Sequence, residues 1–368
     1  MHPALSLLVE HIRAAAAEQR PLRLRGGGTK DFYGQELAGT VLETGPLHGI
    51  VAYEPSELVV TVRAGTPLTE LQAVLAEQGQ TLAFDPPHFG AGATVGGMVA
   101  AGLSGPTRAS VGAVRDYVLG VQMVNGRAEV LQFGGQVMKN VAGYDVSRLM
   151  CGSLGTLGLI SEVSLKVLPR PVAQATLRFE LDQAAALHQL QRWAGQPLPL
   201  RATCWTREGG REQLRVRLAG ARAAVDAAVR GMGGTPEDDA LFDAHWVALR
   251  EQTLPFFALQ GDECLWRLSV PDTAPVLALG PFADAVLLEW GGALRWVKAP
   301  LAAQDALRAA AAGAGGSAML FRRGTAVDGT GVSVFHPLGE PQRRIHQALK
   351  QQFDPQHIFN PGRLFAGL

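Results

Sequence analysis

The alternation of apolar and polar positions divides this chain into two textures. Residues 3–19 carry apolar side chains at helical spacing around Glu10, His11 and Arg13, which predicts an amphipathic helix ended by Pro21. Strand-like runs follow at Leu22–Arg25, Thr40–Glu43 and Gly49–Tyr53, and Leu58–Arg63 alternates cleanly into Ala64-Gly65-Thr66-Pro67. There Thr66 is the expected cap, and Pro67 the expected first residue, of a helix over Leu68–Gln78 that stops at Gly79. Tyr117–Val124 and Ala128–Phe133 flank Asn125-Gly126, the strongest local signal for a tight hairpin. Val95–Ala101 and Val146–Met150 read as short helices, and Gly158–Val167 as a strand that Pro169 and Pro171 close.

From Gln174 to about Arg323 the texture changes. Strand Ala175–Glu180, helix Gln183–Trp193, strands Arg201–Arg207 and Gln213–Leu218, and helix Ala221–Met232 give most of a β-α-β-β-α-β ferredoxin-like unit. Ala285–Glu289, Ala293–Lys298, Gln304–Ala312 and Ala318–Arg322 repeat a strand-strand-helix-strand order. A final helix over Pro341–Phe353 ends at Asp354-Pro355.

Glycine interrupts this pattern in two places. Arg25-Gly26-Gly27-Gly28-Thr29-Lys30 follows the first strand and offers consecutive backbone donors between two cations. Taken alone, it reads equally well as a flexible turn. Between Asp85 and Lys166 a longer series runs through Gly96, Gly97, Gly102, Gly105 and Gly112. Ordered glycine costs backbone entropy, so its concentration calls for a close approach of main chain to something large. Bare N–H groups suit a pyrophosphate, and the start of the Val95–Ala101 helix is expected to face one. A dinucleotide fold of the G-x-G-x-x-G kind is excluded, because Gly152-x-x-Gly155-x-x-Gly158 has the wrong spacing and its flanking elements come in the reverse order.

Composition narrows the classes further. Thirty-three basic residues balance thirty-three acidic ones across 368 residues, so no net field recruits nucleic acid or an anionic membrane. Cys151, Cys204 and Cys264 are too far apart for a zinc or iron–sulfur spacing and read as reduced thiols of a cytoplasmic protein. The amphipathic start is unlike a signal peptide, and no apolar run approaches the roughly 18 residues of a membrane span.

RGGGTK, then DPPHFGAGATVGGMVAAGLSGPTR, then KNVAGYDVSRLMCGSLGTLGLISEVSLKVLP, and finally FNPGRLF together resemble the FAD-binding domain of the vanillyl-alcohol-oxidase, or PCMH, type. Within that superfamily the wording is similar to the glycolate oxidase and D-lactate dehydrogenase flavoproteins, and most of all to the FAD-binding E subunits of bacterial glycolate oxidases. The resemblance implies an α+β fold: an FAD domain of two α+β subdomains over residues 1–170, a ferredoxin-like cap over 171–325, and a tail over 326–368 returning to the FAD domain. It implies FAD held by Arg25, Gly26, Gly27, Gly28, Thr29, Lys30, Thr94, Val95, Gly96, Gly97, Ala100, Gly102 and Gly112, with Pro86, Pro87 and Ile160 added on family grounds alone. For Ile160 a packing role is an equal alternative, and Gly143, Gly155 and Gly158 read rather as turn formers. Some relatives attach the flavin covalently through a histidine in the first glycine loop; none stands here, so the FAD is expected to be non-covalent.

His88, within PPHFG, is the one candidate catalytic group, set against a plain loop role. Arg108, Arg115, Asp116, Lys139, Asn140, Tyr144 and Asp145 form either a polar network at the cofactor or ordinary surface ion pairs. The histidine-rich HxGDGNxH-like metal motif of hydroxy-acid oxidising relatives is missing, with His336 at most a remnant, so no metal is expected. The resemblance therefore implies a subunit that helps oxidise glycolate, a small 2-hydroxy acid, to glyoxylate beside a sister flavoprotein and an iron–sulfur subunit. The complex would lie at the inner face of the membrane. A self-sufficient oxidase of another 2-hydroxy acid such as D-lactate is the alternative.

Overall fold

A computed structural model of the chain describes residues 2–135, 145–325 and 332–367. The chain forms two compact units. The first comprises Met1–Ser104, Ala113–Arg170 and Pro337–Leu368; the second comprises Gly105–Gly112 and Pro171–His336.

The first unit is built on a five-stranded antiparallel sheet. Its order is Ile50–Glu54, Val59–Arg63, Leu159–Lys166, Val118–Val124 and Val130–Gly134. The central strand, LISEVSLK, is buried on both faces, with Val163 and Leu165 at 0% exposure. Its polar Ser164 is tolerated because its hydroxyl and that of Thr61 lie 2.9 Å apart in one hydrogen bond. Beside this sheet Leu22–Arg25 and Thr40–Glu43 pair in parallel. Helix Pro3–Ala17 lays Leu5, Leu8, Val9 and Ile12 into a core shared with Leu22 and Leu42. Ile358 and Phe359, more than 300 residues downstream, complete that core, and each fully buried side chain of this size contributes about 1.5–3 kcal/mol.

Two local readings change. Thr66 does not cap its helix: its hydroxyl accepts from Gly49 N–H at 2.9 Å, and Pro67 occupies the cap position of a helix over Leu68–Glu77. Sequence spacing cannot foresee a competing donor brought in from another segment. Nor is Asn125-Gly126 a two-residue turn. The Asn125 side chain accepts from Arg127 N–H and Glu129 N–H, each at 3.0 Å, and the left-handed residue is Ala128 (φ 59°). Gly126 serves another purpose: a Cβ there would stand 2.5 Å from Asp354 Oδ1, and its N–H donates to Phe353 O at 2.8 Å.

The second unit is one eight-stranded sheet whose neighbours all run antiparallel. Its order is Thr235–Pro236, Ala173–Glu180, Arg211–Gly220, Leu200–Glu208, Val286–Glu289, Leu294–Pro300, Glu263–Ser269 and Ser317–Arg322. The last strand of the ferredoxin-like half shrinks to the two residues Thr235–Pro236. Strand Glu263–Ser269, which the pattern did not announce, lies between two neighbours and buries Cys264, Leu265, Trp266 and Leu268. Arg295, fully buried, donates to the carbonyls of Gly292, Pro275 and Ala274 at 3.0, 2.6 and 2.6 Å. Segment Gly105–Gly112 belongs to this unit because Trp290 Nε1 donates to Gly105 O at 3.0 Å, the Arg108 guanidinium lies 4.5 Å from the Trp290 ring centre, and Ser110 Oγ donates to Arg201 O at 2.7 Å.

Candidate functional site: a glycine-walled cleft

The first unit holds an open cleft of about 120 Å³. Its wall contains Arg25, Gly26, Gly27, Gly28, Thr29 and Lys30, together with Thr94, Gly96, Gly97, Ala100 and Ile160. Leu24, Leu154 and Leu159 give it apolar surface. Asn360 and Arg363 of the tail also reach it. Pro86, Pro87, His88, Val95, Gly102 and Gly112 are not part of this wall. Gly102 ends the Val95–Ala101 helix in the left-handed conformation, and Gly112 lies in the second unit.

The polar network expected at the cofactor disperses into local roles. Asp116 accepts from Ala113 N–H at 2.8 Å, Asp145 caps the helix Val146–Leu149 and pairs with Arg148 at 3.1 Å, and Arg108 is bound up with Trp290. Lys139, Asn140, Gly143 and Tyr144 lie outside the described residues.

The two glycine runs differ in what they offer a ligand. The start of the Val95–Ala101 helix was expected to present free donors, yet its donors are taken. Val95 N–H binds Thr66 O at 3.0 Å, Gly96 N–H binds Ala64 O at 2.7 Å, Gly97 N–H binds Thr94 Oγ1 at 3.2 Å and Met98 N–H binds Thr94 O at 2.9 Å. Here glycine is required by chain meeting chain, since a Cβ on Gly96 would stand 2.6 Å from Ala64 Cβ. The first loop is the opposite case. Among the described residues, the N–H groups of Gly26, Gly27, Gly28 and Thr29 donate to no acceptor of the chain. Four consecutive bare donors at a cleft wall form an anion-binding concavity. Gly27 also packs tightly on the second run, because a Cβ on it would stand 1.6 Å from Gly92 O. The two runs touch, and the cleft stays open beside their contact.

Charge is arranged around that loop. Arg25 pairs with Asp31 and Glu43, each at 3.3 Å, and these carboxylates raise its pKa further. Asp31 also pairs with Arg23. Lys30 Nζ donates to His88 O at 3.1 Å and lies 5.6 Å from the Phe89 ring centre, so His88 meets the site through its carbonyl.

The tail, expected from the resemblance to return to this unit, does so and ties the wall together. Asn360 Oδ1 accepts from Leu24 N–H at 2.7 Å, and its Nδ2 donates to Leu154 O at 2.6 Å. Arg363, 5% exposed, donates to Asp31 O at 2.8 Å and to the carbonyls of Tyr33 and Gln35. Lys350, 1% exposed, donates to Asp354 Oδ2, Thr156 O and Phe359 O, each at 2.8 Å. Asp354 in turn accepts from Ile358 N–H at 3.1 Å and Phe359 N–H at 2.8 Å. An ion pair buried this deeply holds only because every remaining donor finds an acceptor.

A cleft with a bare-amide loop and cationic flanks suits an FAD-binding flavoprotein. The FAD binding domain family matches residues 6–134. Over 361 residues the chain is 45% identical to glycolate oxidase subunit GlcE of Escherichia coli (strain K12), covering 98% of this chain and 97% of that protein. It belongs to the family of GlcE-type glycolate oxidase subunits.

More distant relatives share only part of the chain. Glycolate oxidase subunit GlcD of Bacillus subtilis (strain 168) is 31% identical over 183 residues, 48% of this chain and 39% of that protein. D-lactate dehydrogenase of Anaerostipes hadrus is 34% identical over 139 residues, 38% of this chain and 29% of that protein. Among solved structures, alkyldihydroxyacetonephosphate synthase superposes with a TM-score of 0.68 at 17% identity, over 97% of this chain and 75% of that one, a likeness of fold alone. Among the described residues no cluster of three His, Cys, Asp or Glu is placed to hold a metal ion, and no helix is long and apolar enough to cross a membrane.

Proposed function

We propose that this chain is the FAD-carrying subunit of a glycolate oxidase complex, taking part in oxidation of glycolate to glyoxylate. The observation that supports it most is full-length 45% identity to a glycolate oxidase subunit, joined to a cleft of the first unit that suits a flavin nucleotide. Bound non-covalently, FAD supplies the acceptor for the hydride equivalent removed from the carbinol carbon of a 2-hydroxy acid.

The chain's own residues hold and orient it. Gly26, Gly27, Gly28 and Thr29 offer their N–H groups to the diphosphate, and Arg25 and Lys30 add positive charge. Leu24, Leu159 and Ile160 give the flat apolar parts of the cofactor a wall. Thr94 fixes the Gly96–Gly97 backbone through its cap, and Ala100 leaves room beside it. Pro86, Pro87, Val95, Gly102 and Gly112, off the wall, act through the fold around it.

With Asp31 engaged by Arg23 and Arg25, and Lys30 by the His88 carbonyl, chemistry on glycolate falls to the assembled complex. Its partners are a sister flavoprotein subunit and an iron–sulfur subunit that passes electrons onward at the inner face of the membrane. The test is reconstitution. The purified chain is expected to bind one FAD yet oxidise glycolate and D-lactate poorly alone, with activity restored by co-expressed partner subunits. Full turnover of either acid by the isolated chain would overturn the subunit reading.

A further inference from the structure

Arg363 is a cation placed where a hydrophobic pattern predicts none, and its surroundings are unusual for one. Among the described residues no carboxylate lies within salt-bridge distance of it, since Asp31 faces Arg23 and Arg25. Its guanidinium is solvated by main chain instead, through the carbonyls of Asp31, Tyr33 and Gln35, and its own carbonyl accepts from Gln35 N–H at 3.0 Å. Burial lowers its pKa to about 10, which leaves it charged at any physiological pH. The turn it grips continues directly from the bare donors of Gly26–Thr29, and Arg363 itself stands in the cleft wall. A buried charge of this kind does two things. Its planar fork sets the curvature of a turn through three carbonyls at alternate positions, and its field, weakly screened at this depth, reaches the site where an anion would sit.

Resting on the reading of the cleft as the FAD site, we propose that Arg363 is the positioning residue for cofactor capture: it holds the Asp31–Gln35 turn so that the four amides converge, and supplies a positive charge behind them, with no carboxylate in salt-bridge contact among the described residues, for the diphosphate. Lys350 and Asp354 act as its anchor. They bind Thr156 O on one side and the Ile358 and Phe359 amides on the other, fixing the segment that carries Arg363.

The test uses the full chain stripped of flavin, as wild type, Arg363→Gln, Arg363→Lys and the exposed-helix control Arg344→Gln. FAD dissociation constants are read from quenching of flavin fluorescence at several salt concentrations. Amide exchange over residues 26–35 is measured without flavin. Arg363→Gln is expected to weaken FAD binding at least tenfold, flatten its salt dependence and speed exchange across residues 26–35. Arg363→Lys, which keeps the charge without the fork, is expected to retain the salt dependence and recover part of the affinity. The control is expected to match wild type. If Arg363→Gln binds within twofold of wild type with the same salt dependence, or leaves exchange at 26–35 unchanged, the proposal is wrong. Should wild type itself bind no FAD, the cofactor reading fails, and the exchange comparison still decides whether Arg363 orders the loop.

Discussion

Replacing Gly27 by alanine asks whether the contact between the two glycine runs shapes the cleft. The new Cβ would stand 1.6 Å from Gly92 O and 2.9 Å from Gly92 Cα, both backbone atoms with no flexible end to yield. Relief requires the loops to part by about 1.8 Å, the distance needed to restore ordinary van der Waals contact. Overpacking of this kind costs about 1–3 kcal/mol, and a rigid backbone neighbour puts this site toward the upper end. For a unit of this size each kcal/mol moves the melting temperature by about 2–4 °C. Calorimetry of the apo-protein should therefore show a drop of roughly 5–10 °C, with FAD affinity at least tenfold weaker, as about 1.4 kcal/mol of lost binding implies. Gly45→Ala is the matched control: its Cβ would meet nothing within 4 Å and its φ is not left-handed. That variant should be neutral or slightly stabilised, because alanine narrows the unfolded ensemble. Indistinguishable melting curves and FAD titrations for the two variants would refute the packing argument.

Further outcomes follow from the buried charges and thiols. Burial raises the Glu289 carboxyl from 4.5 to about 7, against the opposing Trp296 hydrogen bond and Arg267. The fold thus holds this proton more tightly than the unfolded chain, so the stabilisation is full below pH 4.5 and is lost as pH rises through 7, up to about 3 kcal/mol. Glu289→Gln should gain on wild type steadily between pH 5 and pH 8 in chemical denaturation; parallel curves would show that the carboxyl is not desolvated. His245, lowered to about 4 chiefly by burial, has the opposite sign: its stabilisation is present above pH 6.5 and disappears as pH falls through 4, so His245→Gln should be relatively favoured in acid. Lys350→Met leaves the Asp354 carboxylate buried and unpaired and should cost about 3–5 kcal/mol, whereas Lys350→Met with Asp354→Asn should recover much of it. An additive double mutant would mean that the pair is not coupled. Burial pushes the Cys151 thiol up to about 12 and the Cys204 thiol well above its ordinary value, so native protein at pH 8 should take up iodoacetamide far more slowly than denatured protein.

What the sequence disclosed, and what it hid, has a physical division. Leu58–Arg63 and Val118–Val124 were legible from their runs of β-branched residues, and the first helix from the 3.6-residue period of its buried face. Strand Glu263–Ser269 was missed although Cys264, Trp266 and Leu268 alternate inward with the half-buried Arg267 and Ser269. The first glycine loop stood out by composition and order, and the structure leaves its amides without acceptors among the described residues. The second was recognised as special for a different reason than the one that operates, since Gly96 answers to Ala64 and Gly97 to Thr94. Lys350, Asp354 and Arg363 were hidden because a charged side chain reads as solvated until its partners are known. Those partners lie as far as 333 positions away, as between Lys30 and Arg363.

That the cleft is closed by Asn360 and Arg363 sets an order on biosynthesis. A ribosome that has delivered the glycine loops and the five-stranded sheet has still to translate some two hundred residues before the clasp for Leu24, Leu154 and the Asp31–Gln35 turn exists. On the proposed reading of the cleft, flavin loading follows completion of the chain. A message cut short ahead of codon 350 would yield chains whose nucleotide pocket never sets, leaving them colourless and exposed to proteolysis.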